Sequence, residues 1–262
     1  MSETDLSHTA IDVQRLLREG SLAHVEHYET LTSTNDRARD IALDLPSDET
    51  ALVIADEQTA GRGRGANRWW TGAGSLAVSL VFDPAAQGIK RQHYPLMSLA
   101  TAVAIVDALR PAIPTGALGL HWPNDVFASG RKLAGILVEG LPNGKHVLGI
   151  GLNVNNRTSG APAEVRERAT SLADLTGREQ SRTDVLVELL GRLWPYLGQL
   201  AANPAEVSRR ANRACLQHGM SLVIQSGERR AQGECVKIAD DGALVLRTER
   251  GEEKFYSGVL VH

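Results

Sequence analysis

The chain has 262 residues, which is enough for one large domain or for a large and a small one. Hydrophobic residues make up 42% and charged residues 23%, and the net charge of −3 argues against a general affinity for nucleic acid. The polar N-terminus is unlike a signal peptide, and no apolar run approaches the ~20 residues that span a bilayer. The two isolated cysteines favour buried thiols in a cytoplasmic protein rather than a disulfide or a zinc site.

The first half of the chain predicts strands and helices in alternation. The predicted elements are a helix at 11–19, a strand at 23–30, a helix at 33–45, strands at 51–55 and 74–82, and a helix at 96–109. Ser33, with Asp36 three residues later, resembles a capping box at the start of the second helix. Pro46 and Pro111 follow the ends of two helices, where proline is common.

The second half predicts further strands and two long helices. The predicted elements are a strand at 118–122, paired strands at 132–139 and 146–154, a polar loop at 155–170, helices at 182–200 and 204–216, and four short strands after His218. Pro195 is expected to kink or split the first long helix. The whole pattern indicates an α+β protein, with a mixed sheet flanked by helices at 1–215 and a small β-barrel domain at 216–262.

One stretch combines three glycines with three arginines: Gly61-Arg62-Gly63-Arg64-Gly65-Ala66-Asn67-Arg68-Trp69-Trp70. Glycine permits a close approach of the backbone, and arginine carries a planar fork of donors that matches carboxylate and phosphate oxygens. The stretch therefore suits an anionic ligand that the chain wraps, although a solvated loop or a small nucleic-acid patch has the same composition. Because the stretch contains no acid, its arginines are expected to repel one another, and we expect the loop to be mobile in the free protein and to fold over an anionic ligand when it binds.

Polar residues also interrupt apolar elements at four other places. These are Ser33-Thr34-Asn35, His121-Trp122-Pro123-Asn124-Asp125, Arg131-Lys132-Leu133-Ala134-Gly135-Ile136-Leu137 and Gly149-Ile150-Gly151-Leu152-Asn153-Val154-Asn155. Simple structural explanations exist for three of them, since Ser33 can cap a helix, Asn124 and Asp125 can form a turn, and Lys132 can be a solvated charge. Asn153 in an apolar strand is harder to explain in this way, because a buried amide needs hydrogen-bond partners.

In this order and spacing, the motifs resemble those of the biotin protein ligases. The glycine stretch is similar to the family's GRGRxGRxW signature, and the other stretches are similar to its KWPND, RKLAGIL and GIGxNxN motifs. The resemblance runs from about Tyr28 to the C-terminus and includes the helix start at Ser33. It implies the class II synthetase-like fold of biotin and lipoate ligases, followed by a C-terminal SH3-like β-barrel.

The resemblance also implies an activity and a set of site residues. The implied enzyme activates biotin with ATP and Mg²⁺ to biotinyl-5′-AMP and transfers biotin to a lysine of the biotin carboxyl carrier protein of acetyl-CoA carboxylase. The implied catalytic residues are Lys132, Arg62 and Arg64, and the implied biotin-binding residues are Ser33, Thr34, Asn35, Gln58, Arg62, Gly63, Arg64 and Lys132. The implied ATP-binding residues are Gly61, Arg62, Arg64, Trp69, Asn124 and Asn153, and the implied Mg²⁺ ligands are Asp125, Asn124 and Asn153.

Two positions depart from the family pattern. Ala66-Asn67 stands where a second Gly-Arg is usual, and His121 stands where lysine is common. Three alternatives remain, namely a lipoate or octanoyl ligase of the same fold, a non-catalytic regulator that binds biotin or the carrier, and a nucleic-acid-binding module. About 25 residues precede the motifs, so we expect the short form without a DNA-binding domain, acting on neither DNA nor membrane, with a homodimer left open.

Overall fold

A seven-stranded mixed sheet forms the centre of the computed structural model, which describes residues 10–113 and 118–261. Its strands are β1 His24–Leu31, β2 Ala51–Gln58, β3 Leu76–Phe82, β4 Leu118–His121, β5 Asp125–Ala128, β6 Arg131–Gly140 and β7 His146–Leu152. They lie in the order β1-β2-β3-β7-β6-β5-β4, with β1 parallel to β2 and every other pair antiparallel. The predicted mixed sheet is therefore confirmed.

Helices cover both faces of this sheet. They are α1 Val13–Glu19, α2 Thr34–Ile41, α3 Met97–Leu109, α4 Ala163–Arg168, α5 Leu172–Thr176, α6 Arg182–Ala202 and α7 Pro204–Ala214, with short 3₁₀ turns at Arg91–Leu96 and Thr158–Gly160. Helix α3 packs against α6 and α7 and is buried almost throughout, as expected for a helix that is apolar on all sides. Helix α2 packs against β2, β3 and β7.

Alternate residues of the central strands enter two separate apolar clusters. In β2, Leu52 and Ile54 join the large core, whereas Ala51 and Val53 join a smaller cluster that α2 covers. Successive side chains of a strand point to opposite faces, so a strand buried on both faces is apolar along its length. This explains why β2 reads as a continuous apolar run in the sequence.

Three predicted helix features differ in the structure. Helix α2 ends at Ile41 rather than near residue 45, and the buried Lys145 donates from Nζ to the carbonyl oxygen of Ala42 at 2.9 Å and also to that of Leu45. The bond to Ala42, the C-cap residue, satisfies a carbonyl that a helix end leaves without a partner, and the bond to Leu45 holds the turn that follows the helix. The predicted polar loop at 155–170 contains α4, and α6 runs unbroken through Pro195, so Pro195 does not split it.

The C-terminal strands form a five-stranded antiparallel sheet rather than a demonstrated barrel. The strands are β8 Ser221–Ser226, β9 Arg229–Ile238, β10 Leu244–Thr248, β11 Gly251–Phe255 and β12 Val259–Val261. Their order is β11-β10-β9-β8-β12, and within residues 118–261 no pairing joins β11 to β12. The closed SH3-like barrel is therefore not confirmed, because turn glycines mark where strands end but do not decide whether the sheet closes.

Several contacts cross the predicted domain boundary at residue 215. The backbone N–H of Leu216 donates to the carbonyl oxygen of Leu120 at 2.9 Å, and Nε1 of Trp122 donates to the carbonyl oxygen of Gly242 at 3.1 Å. Cys215 and Cys235, one on each side of this boundary, are both buried and free, as expected. The division into 1–215 and 216–262 stays a prediction.

Among the helices described here, none combines the length and apolar character needed to cross a bilayer.

Candidate active site

One cleft of about 390 Å³ gathers almost every residue that the sequence singled out. This volume lies within the roughly 300–1,000 Å³ that small-molecule sites occupy. The predicted residues that line the cleft are Ser33, Thr34, Asn35, Gln58, Arg62, Gly63, Arg64, Trp69, Asn124, Asp125, Lys132 and Asn153. Gly61 is the one predicted site residue outside the lining, and its carbonyl oxygen accepts from the backbone N–H of Trp69 at 3.0 Å at the base of the glycine loop.

The N-terminus of α2 carries a buried hydrogen-bond network. The backbone N–H of Thr34 donates to Oε1 of Gln58 at 2.8 Å, and the amide of Gln58 reaches Thr71 at 3.4 Å. The buried hydroxyl of Ser79 lies 2.7 Å from Oγ1 of Thr34 and 2.6 Å from Oδ1 of Asn35. These groups present several positioned donors and acceptors to a polar ligand.

Ser33 occupies the N-cap position of α2, but its side chain makes no capping hydrogen bond. The capping-box interpretation of Ser33 and Asp36 is therefore wrong. Asp36 instead accepts from Nη2 of Arg62 at 2.7 Å. The hydroxyl of Ser33 is buried and lines the cleft, so a simple helix cap does not account for this residue.

Arg62 and Arg64 of the glycine loop lie in different environments. Arg62 forms ion pairs with Asp36 at 2.7 Å and Glu139 at 3.2 Å, so acids outside the loop supply the charge that the loop lacks. Arg64 donates to the carbonyl oxygen of Gly258 in the C-terminal segment, and burial lowers the pKa of its guanidinium. Whether the loop moves when a ligand binds stays a prediction.

Trp69 lies on the glycines of two other motifs. A Cβ atom built on Gly151 would lie 2.2 Å from the Trp69 ring, and one built on Gly135 would lie 3.2 Å from it. Two residues before Gly151 on β7, a Cβ atom built on Gly149 would lie 2.3 Å from Oδ1 of Asn35. Glycine is therefore required at 149 and 151 so that two cleft side chains can lie against the sheet. The indole N–H of Trp69 is buried without a partner, which leaves a donor for a ligand.

Asp125 and Lys132 face each other in the cleft. Nζ of Lys132 lies 2.8 Å from Oδ2 of Asp125 and 5.8 Å from the centre of the Trp69 ring. The other oxygen, Oδ1 of Asp125, is buried without a partner. The Asn124 amide donates to the carbonyl oxygen of Ile136 at 2.8 Å, which leaves its own oxygen available. A carboxylate oxygen without a partner and an amide oxygen on the preceding residue are the types of ligand that suit a hard cation such as Mg²⁺.

Asn153 differs from the other two predicted metal ligands. Its Nδ2 donates to the carbonyl oxygen of Thr170 at 3.0 Å, and its Oδ1 accepts from Asn156 at 2.8 Å. Both amide atoms of this buried side chain thus have protein partners, and they tie β7 to the segment before α5. Among residues 10–113 and 118–261, no group of three or more histidine, cysteine, aspartate or glutamate side chains could hold a metal ion by itself.

Parts of the cleft come from segments that the sequence did not indicate. These are Glu164, Val165, Arg168 and Ala169 in and after α4, Phe127 on β5, and the C-terminal residues Gly258, Val259 and Leu260. The backbone bridge between Lys132 and Ala169 brings α4 to the cleft. His121, one of the two departures from the family pattern, stacks on Phe127 at 4.4 Å. The sequence feature that could have predicted this side of the cleft is the pair of aromatic residues at 121 and 127, which lie on the paired strands β4 and β5.

Comparison with known proteins agrees with this geometry. Residues 28–155 match the model of the protein family described as "Biotin/lipoate A/B protein ligase family". A biotin–[acetyl-CoA-carboxylase] ligase of Mycobacterium tuberculosis is 35% identical over 214 residues, which is 80% of this chain and 78% of that protein. A bifunctional ligase/repressor BirA of Bacillus subtilis is 31% identical over 242 residues, which is 89% of this chain and 72% of that protein.

A solved structure extends the likeness to the whole fold. The biotin protein ligase of Aquifex aeolicus in complex with biotin and ATP superposes with a TM-score of 0.79 at 27% identity, covering 92% of this chain and 98% of that one. The motifs, the cleft that unites them and these relatives agree, and the chain belongs to the biotin/lipoate protein ligase family.

Proposed function

We propose that this protein is an ATP-dependent ligase that activates biotin to biotinyl-5′-AMP and transfers biotin to a lysine of a biotin carboxyl carrier protein. The observation that carries the proposal is the cleft itself, which joins the hydrogen-bond network of Thr34, Asn35 and Gln58 to the Lys132–Asp125 pair. The network suits the ureido head of biotin, which has two N–H donors and a carbonyl. The cations suit the reacting carboxylate and phosphate.

The first step joins two anionic groups. A carboxylate oxygen of biotin attacks the α-phosphorus of ATP, the bond to the β-phosphate oxygen breaks, and pyrophosphate leaves. We assign to Lys132 and Arg64 the role of screening this repulsion, because charges that the fold already holds in position stabilise developing charge without reorganising. In the second step the carrier lysine attacks the acyl carbon and AMP leaves with the electrons of the broken C–O bond.

Asp125 and Asn124 would hold Mg²⁺, supported by the unpartnered Oδ1 of Asp125. Bound there, the ion would neutralise charge on the triphosphate. A third ligand from Asn153 has less support, since its Oδ1 already accepts from Asn156 and has only one lone pair left, whereas Oδ1 of Asp125 has no partner.

The polar head network favours biotin over lipoate. The dithiolane ring of lipoate offers neither N–H donors nor a carbonyl, so it could not use the hydrogen-bonding capacity that Asn35 and Gln58 have left after their protein contacts. A site built for hydrogen bonds discriminates against such a ligand. A non-catalytic regulator that only binds biotin or the carrier would have no use for a lysine–aspartate pair in the cleft, so the Lys132–Asp125 pair favours the enzyme. A homodimer, a cytoplasmic location and the absence of DNA binding stay predictions.

The activity is tested by mixing the protein with biotin, ATP and Mg²⁺ without carrier. We expect a burst of pyrophosphate that stops as the adenylate fills the site, and addition of a carrier domain should give the mass of its biotinylated form. Turnover of lipoate but not biotin would contradict the substrate. No pyrophosphate with either acid would favour the non-catalytic alternative.

Asp125→Asn is expected to raise the Mg²⁺ concentration required for half-maximal activity, because a neutral amide binds a hard cation less well than a carboxylate. The measurement is a Mg²⁺ titration of pyrophosphate release. Asp241→Asn is a matched control, since Asp241 also pairs with a lysine, Nζ of Lys254 at 2.7 Å, but lies outside the cleft lining. An unchanged Mg²⁺ dependence of Asp125→Asn would count against a metal role for this residue.

A further inference from the structure

Glu139 lies on β6 and joins the predicted biotin site to the glycine loop. Its carboxylate accepts from Nδ2 of Asn35 at 2.6 Å and from Nη2 of Arg62 at 3.2 Å, and it also pairs with Arg39. Its side chain is 18% exposed. Glu139 is not part of the motifs discussed above and does not line the cleft.

The carboxylate determines which way the amide of Asn35 points. An ionised carboxylate can only accept hydrogen bonds, so the amide nitrogen of Asn35 must face Glu139. The amide oxygen then faces the opposite way, where it accepts from Ser79 at 2.6 Å and lies against Gly149, which lines the cleft. This oxygen keeps a second lone pair that a ligand N–H can use.

The same carboxylate also restrains the glycine loop. Asp36 and Glu139 face Arg39 and Arg62, so two negative charges balance two positive ones. The charge of Arg62 is therefore compensated within the protein, whereas Arg64 has only a carbonyl oxygen as its hydrogen-bond partner among the contacts described. Arg62 is thus suited to hold the loop in place beside Asn35.

We propose that Glu139 is a positioning residue for the polar head of the substrate: it holds the amide oxygen of Asn35 toward the cleft, as the acceptor for a ureido N–H, and ties Arg62 beside it. This inference rests on the proposed function, because it assigns a partner to the head of biotin. A urea N–H that enters a buried site without an acceptor would lose the hydrogen bond that it makes in water.

Glu139→Gln tests the proposal with almost no change of shape. The new amide can donate as well as accept, so Asn35 is no longer held in one orientation. We expect the KM for biotin in adenylation to rise about tenfold or more, with the KM for ATP and kcat changed less than twofold, because a lost uniform binding contact appears in KM. Glu253→Gln is a matched control, since Glu253 also pairs with an arginine and is also 18% exposed. It should leave all three constants unchanged.

A second pair of variants tests the polarity of the contact. Asn35→Asp places two carboxylates together and should raise the KM for biotin, whereas adding Glu139→Gln supplies a donor to the new carboxylate and should recover part of the loss. If Glu139→Gln does not fold, Asn35→Asp alone decides: its KM for biotin should fall toward the wild-type value as the pH is lowered and one of the two carboxyls takes up a proton.

The outcomes separate the inference from the proposed function. Wild-type protein without biotin-dependent pyrophosphate release would contradict the proposed function. If the wild type is active, the inference is overturned by a biotin KM of Glu139→Gln within twofold of wild type, by equal losses in the biotin and ATP constants, by a double variant no better than Asn35→Asp, or by an Asn35→Asp variant that does not respond to pH.

Discussion

Replacing Lys132 with alanine is expected to lower the rate of adenylation by about 10²–10³-fold, equivalent to about 2.7–4 kcal/mol of transition-state stabilisation. Nζ of Lys132 lies beside Asp125 in the cleft, where a positioned cation can meet the developing charge. Its side chain is about one-third exposed, and Lys132 is not among the buried core residues, so the variant should fold. Single-turnover formation of pyrophosphate measures the chemical step directly.

A surface lysine provides the control for this loss. Lys254 pairs with Asp241 at 2.7 Å, and its side chain is half exposed, so Lys254→Ala removes an ion-paired lysine away from the cleft. We expect its adenylation rate to match that of the wild type. A folded Lys132→Ala variant that adenylates within threefold of the wild type would exclude Lys132 from the reaction.

Gly151→Ala is expected to destabilise the protein by about 1–3 kcal/mol and to abolish most activity, because the added methyl group would lie 2.2 Å from the ring of Trp69. Either the ring or the strand must move, and each lines the cleft. For a chain of this size, each kcal/mol corresponds to a Tm change of about 2–4 °C. Thermal unfolding and the KM for biotin would measure the two effects.

Gly198→Ala is the matched control and should change stability in the opposite direction. Gly198 lies within α6, and a Cβ atom built there meets nothing within 4 Å. Alanine in a helix interior is more stable than glycine by about 0.5–1 kcal/mol, so this variant should unfold at a slightly higher temperature and retain activity. A Gly151→Ala variant as stable and active as Gly198→Ala would contradict the assigned contact with Trp69.

The sequence by itself determined the family and the mixed sheet, and twelve of the thirteen site residues that it predicted line the cleft. Apolar periodicity located β2, β3 and α3 because burial requires it. The motif glycines were recognisable because only glycine tolerates the close approaches of Trp69 to Gly151 and of Asn35 to Gly149. Such local requirements appear in the sequence at the positions that they constrain.

Only the tertiary structure decided which distant groups meet. Arg62 is paired with Asp36 and Glu139, which lie 26 and 77 residues away, so the loop that looked uncompensated in sequence has its counter-charges on α2 and β6. Likewise, the amide of Asn153 bonds to the segment before α5, and the C-terminal strands form a sheet whose closure is not demonstrated. Charge pairing and sheet closure depend on how elements pack in space, and no periodicity along the chain encodes that packing.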